Sequence, residues 1–349
     1  MRATVLLAVL FLAAAGLHLA AAQATSDVPP ALAAVLFWQA ELPRVLMAVT
    51  VGAGFGLAGA AMQEVTRNPL VSPTTLGTVT GAWLALLVAT LIAPGFAAGF
   101  GPWICLLGGG VATAAVLMIA GPLRMHGVVV IVVGMSVNLF LGGLIVVLTL
   151  LSGEAARGLF IWGAGDLTQT GWDLAAWTAP QVAVAAAALL ALTRPLAAMR
   201  LGQSAAAGRG VPTVLISIAV LSLAVWLTAA SVAAVGAIGF VGLVAPNIVR
   251  GLGVRSTAGR LLLGGLAGAL ALLVCDAVPV ALSQWALDLI PTGAAAALIG
   301  APALVLLALF RARAREQGRI AAVPGRARPP RLLWPALAGV AVAALGTAV

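Results

Sequence analysis

The sequence predicts an all-α polytopic membrane protein with ten transmembrane helices and the beginning of an eleventh. Of its 349 residues, 63% are apolar and only 8% are charged, whereas soluble chains carry about 25% charged residues. Apolar runs close to the ~20 residues that a helix needs to cross hydrocarbon recur along the whole chain. All 18 basic residues are arginines, and they fall in the short polar segments between the runs.

Taken in order, the first five runs cover residues 4–22, 43–62, 75–92, 103–120 and 128–150. The first has the alternative of a secretory signal, because LHLAAAQ places small residues after an apolar stretch. The second five cover 174–192, 212–235, 238–249, 261–280 and 292–310. The eighth is too short and too Gly/Pro-broken for a full span. It is expected as a half-length helix packed among others, since irregular backbone at membrane depth is tolerated only against protein or a water-filled cavity. The runs GAGFGLAG and GGLAGAL place small residues at spacings of three and four, which predicts close helix crossings.

Lys and Arg in short loops are retained on the cytoplasmic side. With the N-terminus inside, Arg2, Arg67, Arg124, Arg194, Arg200, Arg209, Arg250, Arg255 and Arg260 all face the cytoplasm, as do the arginines of the tail. Only Arg44 and Arg157 face out. The acids lean the other way: Asp27, Glu41, Glu154, Asp166, Asp173 and Asp288 are outside, against Glu64 and Glu316 within. Miscounting any one span before the last loop would destroy this asymmetry.

Composition also excludes several classes of function. The absence of Lys removes a Walker A loop and any Schiff-base lysine. Cys105 and Cys275 stand alone in apolar runs, and His18 and His126 have no metal-ligand spacing, so neither a disulfide framework nor a bound metal is expected. Despite the net charge of +9, no nucleic-acid partner is expected, because the arginines are spread over short loops. No nucleophile, base and metal constellation suggests an enzyme.

Intramembrane ionisable groups are functional candidates by default. Asp276, near the outer end of the ninth run, is the one acid embedded in apolar sequence, and is read as a snorkelling group or a hydrogen-bonding group between helices, with no transport role. Uncharged polar residues at Gln63, Asn68, Thr75, Ser136, Asn138 and Asn247 are candidates for a translocation path, with helix-to-helix bonding as the competing role. The outer loop 152–173 carries Trp162 and Trp172, either as interface anchors or on a short amphipathic helix lying on the outer face. The stretch RPLAAMRLGQSAAAGRGVP, residues 194–212, is small, basic and Gly-punctuated. It reads as a cytoplasmic pair of short helices fitted to a soluble partner, or as an ordinary Arg-flanked turn.

Three segments carry a family resemblance: LPRVLMAVTVGAGFGLAGAAMQEVTRNPLVSPTTLG at 42–77, VGAIGFVGLVAPNIVR at 235–250 and PTGAAAALIGAP at 291–302. They resemble the FecCD-type permeases of bacterial ABC importers for iron-siderophores and vitamin B12. RNPLVSPTTLGTVTGAWL and FIWGAGDLTQTGWD are most similar to the ferric hydroxamate branch, in which two such halves are fused. The resemblance implies the type II ABC importer permease fold, with a permease unit over 1–315. A cytoplasmic Arg/Pro-rich linker then covers 316–331, and 332–349 begin a further span, as at the start of a second half.

It also implies an inner-membrane protein with several partners: ABC ATPase subunits that bind the ATP and Mg, a periplasmic siderophore-binding protein, and a second permease half or a second copy. No cofactor is expected on the chain itself. The coupling residues by resemblance are Leu201, Gly202, Gln203, Ala206, Arg209 and Gly210. Gln203 stands where the family commonly has an acid, and Ala207 where it has Arg. Arg44, Arg157 and Asp166 are the implied docking residues for the binding protein, with Glu41 where the vitamin B12 permease has a second Arg. Asn247 replaces a common His. Vitamin B12 or haem on the same scaffold, or a secondary transporter working without ATP, are the alternatives.

Overall fold

The computed structural model describes residues 2–24, 29–121, 128–152, 163–200, 202–282 and 291–320, and among them it contains helices and no strands. The chain begins with α1 (Arg2–Ala24) and α2 (Pro30–Leu36). A single π-turn, Phe37–Glu41, then runs α2 without a break into α3 (Leu42–Thr66). Next come α4 (Thr78–Ile92), α5 (Pro94–Ala120) and α6 (Val128–Ser152). The second half holds α7 (Asp173–Ala191), the short pair α8 (Thr193–Met199) and α9 (Gln203–Ala207), and α10 (Thr213–Val235). It ends with α11 (Val241–Gly251), α12 (Thr257–Leu282) and α13 (Thr292–Ile320).

Six helical stretches among the described residues are long and apolar enough to cross a membrane: Pro30–Thr66, Pro94–Ala120, Val129–Ser152, Asp173–Ala191, Thr213–Val235 and Thr257–Ala281. They account for six of the ten expected spans. The other four coincide with helices whose apolar parts are shorter, namely Thr4–Gly16, Thr78–Ile92, Thr292–Leu307 and the 11-residue α11. The expected eleventh span lies outside the described residues. Two boundaries differ from the sequence reading for local reasons. Helix α4 starts at Thr78 because Ser72 and Thr75 close a hydroxyl-capped turn and Gly77 takes a left-handed conformation (φ 74°). Helix α5 starts at Pro94, where a proline is accommodated because its missing N–H lies in the first turn.

Helix α3 is the axis of the molecule. Every residue from 54 to 66 is buried, as expected for a helix that is apolar on all sides. It packs on α12 above all, and on α10, α11 and α7. The contact with α12 follows from glycines on both helices. Gly52 lies against Gly268 and Gly56 against Gly264, and a Cβ on Gly52 would sit 2.5 Å from the Gly268 carbonyl oxygen. Only hydrogen at these positions lets the two backbones meet, so the small-residue runs in the sequence are the seam of the bundle.

The half-length helix is present as anticipated. Residues 236–240 are non-helical, and α11 runs for 11 residues with Val241 to Asn247 buried. Its entrance carries Phe240 at φ 64°. The backbone groups freed there are bonded within the protein: Asp166 N donates to Val235 O (2.8 Å) and Ala237 N to Gly163 O (3.3 Å). Gly293 N donates to Gly165 O at 2.9 Å. The described part of the 152–173 loop, residues 163–173, therefore inserts between helices, while residues 153–162, over which the outer-face helix is also expected, lie outside the described residues. Leu167 is fully buried and Gln169 nearly so, while Trp172 Nε1 donates to Trp38 O at 2.9 Å. Trp162 lies outside the described residues.

Candidate functional site

Two buried carboxylates organise the two ends of the bundle. At the end where α1 finishes and α3 begins, Asp276 of α12 is fully buried and accepts four hydrogen bonds. Arg44 Nη2 (2.9 Å) and Thr292 Oγ1 (2.7 Å) donate to Oδ1. Arg44 Nε (2.8 Å) and His18 Nε2 (2.9 Å) donate to Oδ2. A carboxylate offers about four acceptor positions, and here all are filled, by groups from α1, α3 and α13. Of the two roles expected of Asp276, this is the helix-to-helix one and not snorkelling. The Arg44 side chain, 17% exposed, is committed to this bond.

At the opposite end, Glu64 occupies the last turn of α3 with its side chain 2% exposed. A carboxylate there faces the negative end of the helix dipole and needs cations. Three arginines from three segments supply them. Arg260 Nη1, on α12, donates to Oε1 at 2.8 Å. Arg250 Nη2, on α11, lies 3.8 Å from the same oxygen. Arg200 Nε, directly after α8, lies 3.5 Å from Oε2. Arg200 also donates to the Arg255 carbonyl, and Arg260 Nε to Val254 O (2.9 Å). The end of the core helix, the short helix pair and the α11–α12 turn thus converge on one anion.

The coupling candidates sit beside this cluster. Gly202 (φ 117°) opens α9, and Gly210 (φ 78°) closes the turn that follows. Between them Ala206 is fully buried. Its N–H donates to Gly202 O at 3.0 Å, and its carbonyl accepts from Arg209 N (3.0 Å) and Val211 N (3.1 Å). The stretch is a compact helix pair hinged at glycines, with Ser204, Ala205, Ala207, Gly208, Arg209 and Gly210 exposed. Nothing lies within 4 Å of where a Cβ on Gly210 would point. Leu201 and the Gln203 side chain lie outside the described residues, as does Arg157.

The path candidates divide by what they bond. Asn247 Nδ2 donates to Pro69 O and to Leu243 O, both at 2.8 Å, and Asn68 Oδ1 accepts from Leu70 N at 3.0 Å. These two asparagines therefore meet around the 67–70 turn, which Arg67 enters in a left-handed conformation (φ 50°). Thr75 bonds back to Ser72 and Ser136 to Val132 O. Thr80 Oγ1 donates to Asn138 Oδ1, joining α4 to α6. Gln63 differs: it is fully buried, and among the described residues neither its Oε1 nor its Nε2 has a hydrogen-bond partner. Among the docking candidates, Asp166 Oδ1 accepts from Thr168 N and Thr168 Oγ1. Sequence reasoning recorded Glu64 only as an inward-facing acid. The available signal was its position, an acid at the end of an apolar run and three residues before Arg67.

The apolar helices and the two charge-locked ends define a multi-pass helical membrane protein. The sequence profile of the FecCD transport family matches residues 3–310. The chain belongs to that family. It is 38% identical over 279 residues, 78% of this chain and 40% of the relative, to the iron(3+)-hydroxamate import system permease protein FhuB of Salmonella typhimurium. The Escherichia coli Fe(3+) dicitrate transport system permease protein FecC is 33% identical, covering 80% of this chain and 84% of its own. The vitamin B12 import system permease protein BtuC of Salmonella paratyphi A is 32% identical over 79% of this chain and 84% of its own. The chain thus spans about two fifths of the length of the hydroxamate relatives. A solved structure described as an inward-facing conformation of a metal-chelate type ABC transporter superposes with a TM-score of 0.72 at 26% identity. That match covers 86% of this chain and 98% of the other.

Proposed function

We propose that this chain is a permease unit of an ABC importer that moves ferric siderophores of the hydroxamate class across the bacterial inner membrane. The observation that carries this reading is the 38% identity to the hydroxamate import permease over 78% of the chain. The N-terminus lies in the cytoplasm, and the end bearing Glu64 and the α8–α9 pair is the cytoplasmic one, in keeping with the arginine distribution. A periplasmic binding protein delivers the substrate to the opposite end. Partner ATPase subunits bind ATP and Mg and press on residues 201–212. A second permease half, or a second copy, completes the pathway. The chain itself performs no catalysis.

Gln63 is the strongest path candidate, because a buried amide with no partner among the described residues costs about 1–3 kcal/mol and is retained most economically where another conformation or a solute satisfies it. The other five path candidates are already bonded within the protein. The test is uptake into proteoliposomes holding this chain with its partner half, ATPase and binding protein, using ferric hydroxamate, ferric dicitrate, haem and vitamin B12 in parallel. ATP-dependent accumulation of the hydroxamate alone is expected. Preference for vitamin B12 or haem would move the substrate within the family, and accumulation without ATP would replace the importer reading by a secondary transporter.

A further inference from the structure

The two buried carboxylates are held very differently. Asp276 has its four acceptor positions filled at 2.7–2.9 Å. Glu64 has one hydrogen bond of normal length, from Arg260 to Oε1, and two further guanidiniums at 3.5 and 3.8 Å, beyond good hydrogen-bond geometry. The first carboxylate is a closed lock. The second has one anion, three cations and room to exchange partners.

Helix polarity makes that anion matter. Glu64 stands in the last turn of α3, and Arg260 in the first turn of α12. Each charge is at the helix end that disfavours it, so each depends on the other. Arg200 comes from neither core helix. It follows α8 directly and precedes α9 by two residues, so any displacement of the short pair changes the Arg200 to Oε2 distance first. Its other bond, to the Arg255 carbonyl, ties the same guanidinium to the turn leading into α12. A buried ion pair loses far more when one partner leaves than it gains on forming, so the carboxylate follows whichever guanidinium approaches.

We propose that Glu64 is a positioning residue for coupling. Its carboxylate registers the α8–α9 pair to the core helix through Arg200, and exchange of that carboxylate between Arg260 and Arg200 carries movement of the pair into α3. This rests on the reading of residues 201–212 as the contact with an ATPase. It adds a residue that the family resemblance does not point to.

The experiment is made on the reconstituted complete transporter. It measures substrate molecules moved per ATP hydrolysed, normalised to the amount of assembled complex. Glu64→Gln keeps the shape and removes the charge, and is expected to lower that ratio about tenfold, within the usual range of a coupling free energy. Arg200→Gln is expected to do the same. The double variant is expected to be no worse than either single one, since both changes cut the same link. A wild-type ratio in Glu64→Gln, or single effects that multiply in the double variant, would overturn the proposal. A purely structural role would lower the amount of complex without changing the ratio, which also counts against it. If Glu64→Gln does not assemble, the half-exposed Arg200→Gln alone decides: a lowered ratio supports the proposal and an unchanged one refutes it. Absence of ATP-dependent transport by the wild-type complex would instead refute the functional reading.

Discussion

At Asp276 a single side chain ties α12 to three other helices, and the sum of its bonds explains how an ionised group is tolerated in apolar surroundings. Removing one partner from a buried pair costs about 3–5 kcal/mol. Arg44→Ala is therefore expected to lower the unfolding temperature of the detergent-solubilised protein clearly, read by loss of the monodisperse peak after heating. An unchanged profile would show that His18 and Thr292 suffice. The sequence revealed Asp276 as a bonding acid, because it was alone in an apolar run. It did not reveal Arg44 as the partner: the two are 232 residues apart, and nothing local distinguishes a docking arginine from a structural one. The same distance hid the Glu64 cluster, whose hydrogen-bonded arginine lies 196 residues downstream.

Among the helices, the seam between α3 and α12 was the most legible feature, since close packing requires glycine and glycine spacing is visible in sequence. Gly56→Leu is expected to prevent α3 and α12 from meeting and to reduce the folded protein recovered from membranes to a small fraction of wild type; recovery at the wild-type level would show that the helices can separate without penalty. Gly210 makes the opposite case. It takes a positive φ with open space around it, so Gly210→Val costs about 1–2 kcal/mol of local backbone strain with no internal clash. Membrane levels near wild type with sharply reduced uptake are expected there, and uptake at the wild-type rate would remove this turn from the mechanism. The half-length α11 was also foreseen, from its glycines and proline. The inserted loop was not, because its backbone bonds join segments from three distant parts of the chain and leave no periodic trace.

For the whole molecule, composition alone was enough to establish a membrane bundle, and the proposed sidedness rests on the arginine distribution. A cysteine placed at exposed Ser204 is expected to react with a membrane-impermeant maleimide only after the inner face is opened, in a chain whose own Cys105 and Cys275 are buried. Reaction in intact spheroplasts would invert the orientation and with it the proposed place of the ATPase. The number of complete crossings was less legible, since four apolar stretches are short and their depth is decided by neighbours, not by their own length.

The stitched backbone around Gly163, Gly165, Val235 and Gly293 also bears on how the chain matures during synthesis. The ribosome delivers the Gly165 carbonyl long before the amide of Gly293 that will satisfy it. Until α13 is in place, the Gly165 carbonyl of that loop lacks this donor. A nascent chain stalled just short of Gly293 should therefore be a preferred target of membrane quality-control proteases, and one released a helix later should escape them.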